Sequence, residues 1–408
     1  MAAPSSEKMV PPMADPSSEN KVTKQIPEDI HFSILSKLPI KSINRFSSVS
    51  KSWYGLFENP DFLKMFSNNL VLKYHGDDVK LLFNINFKKL RLLSGDKFQH
   101  EVSLNMHLPP PFVGSNHLAI LGSAVDGVIC LYDVNNQKNI ILCNPANGEK
   151  RVLPTNYAED LGTVEDSITN IMVHGFGYDT VNQDFKVVLY VNNENVHSEG
   201  SPDETDSFWQ VYSVKTNKWK KSQINFDGVP LPFLQDYPNG LEVYLDSVCH
   251  WLGRISTDDP LYLVSFNLTN YSTLLTLTPV DADVTESSLK LVVLNGSIAM
   301  ITHHVSSMSY RIYTLGQIGV KESWTTLFNV ASLPSIQNIV GAGKKGVIFY
   351  KGNEKDGKLF CFDLTTGVTF EEICFEAKMD VQQIVLYKES DQILSIIASH
   401  RSIRGINS

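Results

Sequence analysis

The chain has 408 residues and a mass of 45.7 kDa, more than one hydrophobic core usually organises, so at least two structural units are expected. Hydrophobic residues make up 42% and charged residues 19%, the balance of a globular protein with ample material for a core. A net charge of −9 without a dense Lys/Arg block argues against a nucleic-acid partner, and no apolar run reaches the length of a membrane-spanning helix.

In chain order, residues 1–23 come first. They belong to "MAAPSSEKMVPPMADPSSENKVTKQ", which holds Pro, Ser and charge but no apolar segment. This composition fails as a secretory signal and predicts a disordered leader.

The stretch "IPEDIHFSILSKLPIKSINRFSSVSKSW" predicts three short helices. Pro27 suits a first helical turn, where its missing N–H is no loss. Glu28 and Asp29 set negative charge against the positive helix end. Ile30, Ile34 and Leu38 recur every four residues with Leu35 beside them, giving one apolar stripe. Pro39 restricts Leu38 and closes the helix. A second helix would carry Ile40, Ile43 and Phe46, and a third Val49, Trp53, Leu56 and Phe57. A unit of roughly 45 residues cannot cover that much apolar surface by itself, so another surface must cover the rest.

The Pro-Glu-Asp opening followed by "LSKLPIKS", "RF" and "VSKSW" resembles an F-box, a three-helix hook that binds a Skp-type adaptor and, through it, a cullin ubiquitin ligase. The resemblance assigns adaptor contacts to Ile26, Pro27, Ile34, Leu38, Pro39, Val49 and Trp53. Ile26 stands where Leu is usual, and Ser48 and Ser50 where Cys often occurs. The unit is expected to span 24–69.

From 70 to 408 helical periodicity gives way to short β-branched and aromatic runs, among them "GVICLYDV", "FKVVLYV", "LKLVVLNGSIAMI" and "KKGVIFYKG". The fold class is therefore α+β as two domains: a helical hook, then an all-β unit. Turn residues Asn147, Asn217, Asn270 and Thr366 recur at intervals that reduce to roughly 50 residues, once the longer-turned "GQIGVKESW" copy and the acidic insertion "NNENVHSEGSPDETDS" are allowed for. That period fits a divergent, kelch-like propeller of roughly six or seven blades, without the Gly-Gly doublet of true kelch repeats. "GSAVDGVICL", "CNPANGEKRVLP", "GFGYDTVNQDFKVV", "VYLDSVCHWLG", "GVKESWTTLF" and "GAGKKGVIFY" occur in the order of a plant F-box-associated domain of the first type, similar to S-locus F-box proteins.

The remaining motifs carry little chemistry. "GAGKKG" lacks the spacing of a phosphate loop and reads as a hairpin turn. Adjacent His303 and His304 point to opposite faces of a strand. His174 and His250 sit in apolar strands and read as satisfied core or rim histidines. Cys130, Cys143, Cys249, Cys361 and Cys374 lie in apolar runs without a CxxC pair, which suggests reduced thiols and a cytoplasmic and/or nuclear site of action. Asn267, Asn270 and Asn295 match glycosylation acceptors only by chance in a chain without a secretory signal. No catalytic, metal or cofactor residues are assigned.

The resemblance implies a non-catalytic substrate receptor of a ubiquitin ligase. Its partners would be a Skp-type adaptor, a cullin held through that adaptor, and a target protein of unknown identity. Candidate target-binding positions are Glu194, Asp203, Glu204, Asp206 and Trp209 in or beside the acidic insertion, with Phe233 and Tyr237 in the Pro- and aromatic-rich "DGVPLPFLQDYPNG". Trp219, Trp251 and Trp324 read as core. Two alternatives remain, a non-degradative adaptor-bound scaffold and a propeller enzyme of the copper-oxidase type.

Overall fold

The structure is a computed structural model of the whole chain. In the N-terminal part it describes residues 28–38, 42, 46, 49, 51, 55, 56, 59, 62 and 65. Beyond these it describes 79–85, 89–94, 100–104, 106–115, 117–154, 167–195, 208–221, 231–232, 242–254, 259–281, 283–284, 289–294, 296–330, 336–342, 346–352, 359–373 and 381–390.

One α-helix, α1 (Glu28–Leu35), opens the described chain. The leader lies outside the described residues, as does most of the second and third expected helices. After α1 the described chain forms six antiparallel sheets. β1 (Val79–Ile85), β2 (Lys89–Ser94) and β3 (His100–Leu104) make three strands of the first. Blade two is β4 (Leu118–Ile120), β5 (Ile129–Asp133), β6 (Asn136–Asn144) and β7 (Glu149–Val152). Blade three is β8 (Ser167–Asp179), β9 (Asp184–Asn195), β10 (Phe208–Ser213) and β11 (Lys218–Lys221).

In blade four, β14 (Val248–Arg254), β15 (Tyr262–Asn267) and β16 (Thr273–Leu277) follow an inner edge split between β12 (Leu231–Pro232) and β13 (Glu242–Leu245). Blade five is β17 (Lys290–Leu294), β18 (Ser297–His304), β19 (Ser309–Leu315) and β20 (Trp324–Val330). Blade six is β21 (Ile336–Ala342), β22 (Val347–Gly352), β23 (Leu359–Asp363) and β24 (Val368–Ile373). The last strand, β25 (Val381–Lys388), then pairs with β1 and completes blade one in the order β25-β1-β2-β3. The fold is a six-bladed β-propeller, the lower of the two blade numbers that the repeat allows.

The four turn residues that mark the repeat fall in equivalent hairpins, between the third and fourth strands of their blades. In these hairpins Gly148, Asn217, Tyr271 and Gly367 adopt the left-handed conformation. A polar residue at the start caps each one. Asn144 Oδ1 accepts from Ala146 N, Ser213 Oγ from Thr216 N, Asn267 Oδ1 from Thr269 N, and Asp363 Oδ1 from Thr365 N. A short polar side chain folded back on its own turn, then a residue tolerating positive φ, is the local device that repeats.

The continuous apolar runs follow from burial on both strand faces. On β5, Ile129 and Leu131 enter the cluster shared with blade one, while Cys130 and Tyr132 enter the one shared with blade three. On β18, Ala299 and Ile301 face blade six, and Ile298 and Met300 face blade four. Each gap between neighbouring blades thus holds its own apolar cluster, six around the ring among the described residues.

Polar ties cross these gaps as well. Between blades one and two, the buried Gln383 amide accepts from Ile120 N at 2.8 Å and donates to Ile120 O at 2.8 Å, reproducing a ladder rung with a side chain. Between blades three and four, Lys186 Nζ pairs with Asp179 at 2.7 Å and donates to Leu268 O at 2.6 Å, and Thr269 Oγ1 donates to Asp179 at 2.8 Å. Both charged side chains are buried. Gly175 and Gly177 let β8 approach blade four. A Cβ at Gly177 would lie 2.3 Å from the Tyr244 ring, and one at Gly175 2.9 Å from Cys249.

Gln383→Leu keeps the volume but strands the N–H and C=O of Ile120 in a buried site. It is expected to cost about 2–4 kcal/mol, read as a lower urea midpoint with an unchanged far-UV spectrum. For Asp179, burial alone would raise the carboxyl, but hydrogen bonds from Lys186, Asn182 and Thr269 outweigh it and hold it well below the ordinary range. A depressed folded value means stabilisation that is fully present above the unfolded carboxylate value, about 3.9, and is lost as pH falls through the folded one. Asp179→Asn should therefore destabilise by about 3–5 kcal/mol at neutral pH. Denaturation curves at pH 7 and pH 3 should show the gap between variant and parent narrowing at the lower pH.

Candidate functional site

α1 carries apolar side chains on two sides. Phe32, Leu35 and Leu38, with Phe46 and Leu56, pack against the apolar cluster between blades five and six. Phe62, fully buried, belongs to that cluster and meets the Phe32 ring edge-on at 5.7 Å. Ile30 and Ile34 are 45% and 55% exposed, and Val49 is 72% exposed. The expected single stripe of Ile30, Ile34 and Leu38 is thus divided. Leu38 lies past the last helical residue in a tightened turn, Leu38 N bonding to Leu35 O, so the four-residue period does not reach it. Ile26, Pro27, Pro39 and Trp53 lie outside the described residues.

At the other site, strand alternation decides which connections share an end of the propeller. Connections between second and third strands of a blade, and from an outer strand to the next inner one, emerge together. The β9–β10 connection and the connection from β11 to β13 are of these kinds. The strand ends that flank the acidic insertion and the Pro- and aromatic-rich segment, Asn195, Phe208, Lys221 and Glu242, therefore lie at one end. Asp203, Glu204, Asp206, Phe233 and Tyr237 themselves lie outside the described residues. Exposed Val305 and Met308, between β18 and β19, lie at the same end.

Two target-binding assignments need correction. The acidic insertion is not a loop throughout, because Asn192–Asn195 continue β9, with Glu194 opposite Ile168. β10 accompanies β9 only as far as Val191, so beyond it β8 and β9 continue as a two-stranded ribbon. Its "NNEN" sequence hides a strand, since a ribbon beyond the sheet has no blade face demanding apolar residues. Trp209 lies within β10 and is 1% exposed, its ring 5.3 Å from Trp251 and 5.1 Å from His174. It fills the gap between blades three and four and offers no contact surface.

Trp219 and Trp251 are buried, as their blade positions predict, and Trp324 is partly buried with Nε1 donating to Leu277 O. His250 is satisfied by Ser265 at 2.9 Å. His174 differs from expectation: it is the extra residue of a bulge between Val173 and Gly175, and neither ring nitrogen has a hydrogen-bond partner among the described residues. Burial pushes its pKa down to about 3, so the ring is neutral. His303 stacks on Tyr310 while His304 is buried on the opposite face beside Thr302. Gly341 and Ala342 end β21, which pairs with β22, so "GAGKKG" spans a hairpin.

Sequence reasoning passed over Lys290, a 7%-exposed lysine lining a cavity of about 230 Å³ on the propeller axis. The available signal was a lysine heading the otherwise apolar β17 run "KLVVL".

Family models match the chain in two places, the F-box domain over residues 24–65 and the F-box associated beta propeller domain over 119–400. The chain belongs to the F-box-associated β-propeller family. Among curated relatives, F-box protein CPR1 of Arabidopsis thaliana is 25% identical over 363 residues, covering 83% of this chain and 82% of the relative. A second Arabidopsis thaliana F-box protein, At5g15660, is 25% identical over 318 residues, 76% of this chain and 66% of its own length. Among solved structures, a chain of a nidogen/laminin complex matches 76% of this chain and 99% of its own at 10% identity and a TM-score of 0.44, a likeness that says nothing about function.

The placement of Trp209 gives a direct test of packing against recognition. Trp209→Ala should cost about 3–5 kcal/mol of stability through the cavity it leaves. A thermal melt of the intact F-box protein should show a clear fall in Tm, and an unchanged Tm would return Trp209 to the list of surface contacts.

Proposed function

We propose that this F-box protein is a substrate-recognition subunit of a Skp–cullin–F-box ubiquitin ligase. The observation that carries the reading is the divided helix α1. One side is occupied by the propeller, while Ile30 and Ile34 stay exposed on the other, within the segment that matches the F-box domain. A pair of exposed isoleucines on a short helix is surface for a partner to cover, and in this family that partner is a Skp-type adaptor. The propeller would hold a target protein at the end where the acidic and the Pro-rich connections emerge. The mechanism is proximity: holding the target raises the effective concentration of its lysines at the ligase's ubiquitin donor, with no bond chemistry on this chain. Free, buried Cys130, Cys143, Cys249 and Cys361 accord with a cytoplasmic or nuclear site of action.

The double variant Ile30→Asp, Ile34→Asp should lose at least roughly 2 kcal/mol of adaptor binding, about thirtyfold, while circular dichroism of the propeller is unchanged. A pull-down with recombinant Skp-type adaptor reads the outcome. Full retention of the adaptor by the variant would remove the hook from the interface. Ubiquitin transfer to a captured target then separates a degradative receptor from a scaffold.

A further inference from the structure

Each blade ends in an outer strand whose far edge has no neighbouring strand in its sheet: β3, β7, β11, β16, β20 and β24. These edges differ in charge. β16 (TLLTL) and β20 (WTTLFNV) carry none, and β24 (VTFEEI) carries two glutamates. β11 (KWKK) has lysine at three of its four positions, in a chain of net charge −9. Edge lysines commonly guard against stray strand pairing. Two of the six edges here do without any charge, so that guard is not a requirement of this fold, and β11 carries more of it than the others.

The lysines of β11 are also unneutralised. Lys218, Lys220 and Lys221 are exposed, and among the described residues no carboxylate pairs with them. The carboxylates of blade three whose side chains are described are buried and committed elsewhere, Asp179 to Lys186 and Asp184 to Ser213 and Lys215 N. Aromatic rings steady two of the ammonium groups: Lys221 Nζ lies 4.1 Å from the Phe208 ring centroid and Lys220 Nζ 5.9 Å from that of Tyr271. Strand alternation turns Lys218 and Lys220 toward blade four, opposite Ser213 and Val211, and Trp219 and Lys221 toward blade two. Along the outer edge no backbone hydrogen bond reaches another described residue.

We propose that the outer edge of β11 is a docking strand for an acidic, extended segment of a partner protein, which adds antiparallel to blade three. Main-chain hydrogen bonds would supply affinity and the lysines selectivity. Cross-strand side chains stand about 5 Å apart, so the register dictates the partner's pattern. Opposite Lys221, Lys220, Trp219 and Lys218 in turn, it reads acidic, acidic, apolar, acidic. A peptide suits this edge better than a nucleic acid. Four residues span only about 13 Å, the edge alternates donors with acceptors, and the charge of the whole chain repels a long polyanion. The proposal does not use the substrate-receptor reading, and binding is measured without adaptor or cullin, so either can fail alone.

The test is fluorescence anisotropy of the full chain with a labelled peptide, Gly-Ser-Glu-Glu-Val-Glu-Gly-Ser. It should bind roughly tenfold or more tightly than its Gln-for-Glu analogue and than an analogue N-methylated at alternate residues. Its affinity should fall with added salt. The triple variant Lys218→Gln, Lys220→Gln, Lys221→Gln should lose roughly tenfold or more at unchanged Tm, whereas arginine at the same three positions should keep binding. Several results overturn the proposal. One is no binding to the full chain, or binding only after residues 196–207 are replaced by a Gly-Ser linker, which would make the occupant a segment of this chain. Another is equal binding of the N-methylated peptide, which would leave charge attraction without strand addition. Equal competition by a single-stranded oligonucleotide, or affinity surviving the glutamine variant, does the same.

Discussion

The whole propeller depends on one strand pairing, that of β25 with β1. These strands lie about three hundred residues apart, and the register from Val79 opposite Lys388 to Ile85 opposite Val381 joins the end of the ring to its beginning. Without it blade one would lack its inner strand, and the apolar clusters it shares with blades two and six would each lose one wall. Stability is therefore shared around the ring instead of residing in any one blade. A sheet with both faces buried and no blade to lean on would expose Val188 and Tyr190 on one side and Val187 and Leu189 on the other.

Apolar burial is non-directional and could tolerate blades sliding against one another. The polar ties cannot. The Gln383 bridge fixes the height of β25 against β4, and the Asp179–Lys186–Thr269 set fixes blade three against the turn of blade four. A buried ion pair adds little net stability over a packed apolar pair, but breaking either side is costly, so its main effect is on register. The close approaches at Gly175 and Gly177 act at the same gap. The motif "GFGYDTVNQDFKVV" thus states how two blades meet, and its conspicuous charges are structural.

This geometry divides the molecule by task. The sides of the strands are consumed by packing, so aromatic residues inside blades, Trp209 and Trp251 among them, are unavailable for recognition. What remains for partners is the exposed side of α1, the connections at one end of the ring, and the outer edge of β11.

The sequence by itself determined the first helix of the F-box segment, the period and the strand runs. Those signals are local, since a capped turn, an alternating apolar run and a Pro-Glu-Asp helix start are each written within about fifteen residues. It also determined that the marked turns are equivalent, because the same Asx- or Ser-capped device recurs at each. Only the tertiary structure decided that there are six blades, because blade one is assembled from both ends of the chain and has no contiguous repeat to count. Only it showed that Val191–Asn195 are strand, that Trp209 is core, and that Lys290 stands at the axis, because each depends on which side of a strand meets a distant neighbour. The division of α1 into a covered and an exposed side was likewise invisible in its spacing. Both sides are apolar, and what separates them is the propeller packed against one of them.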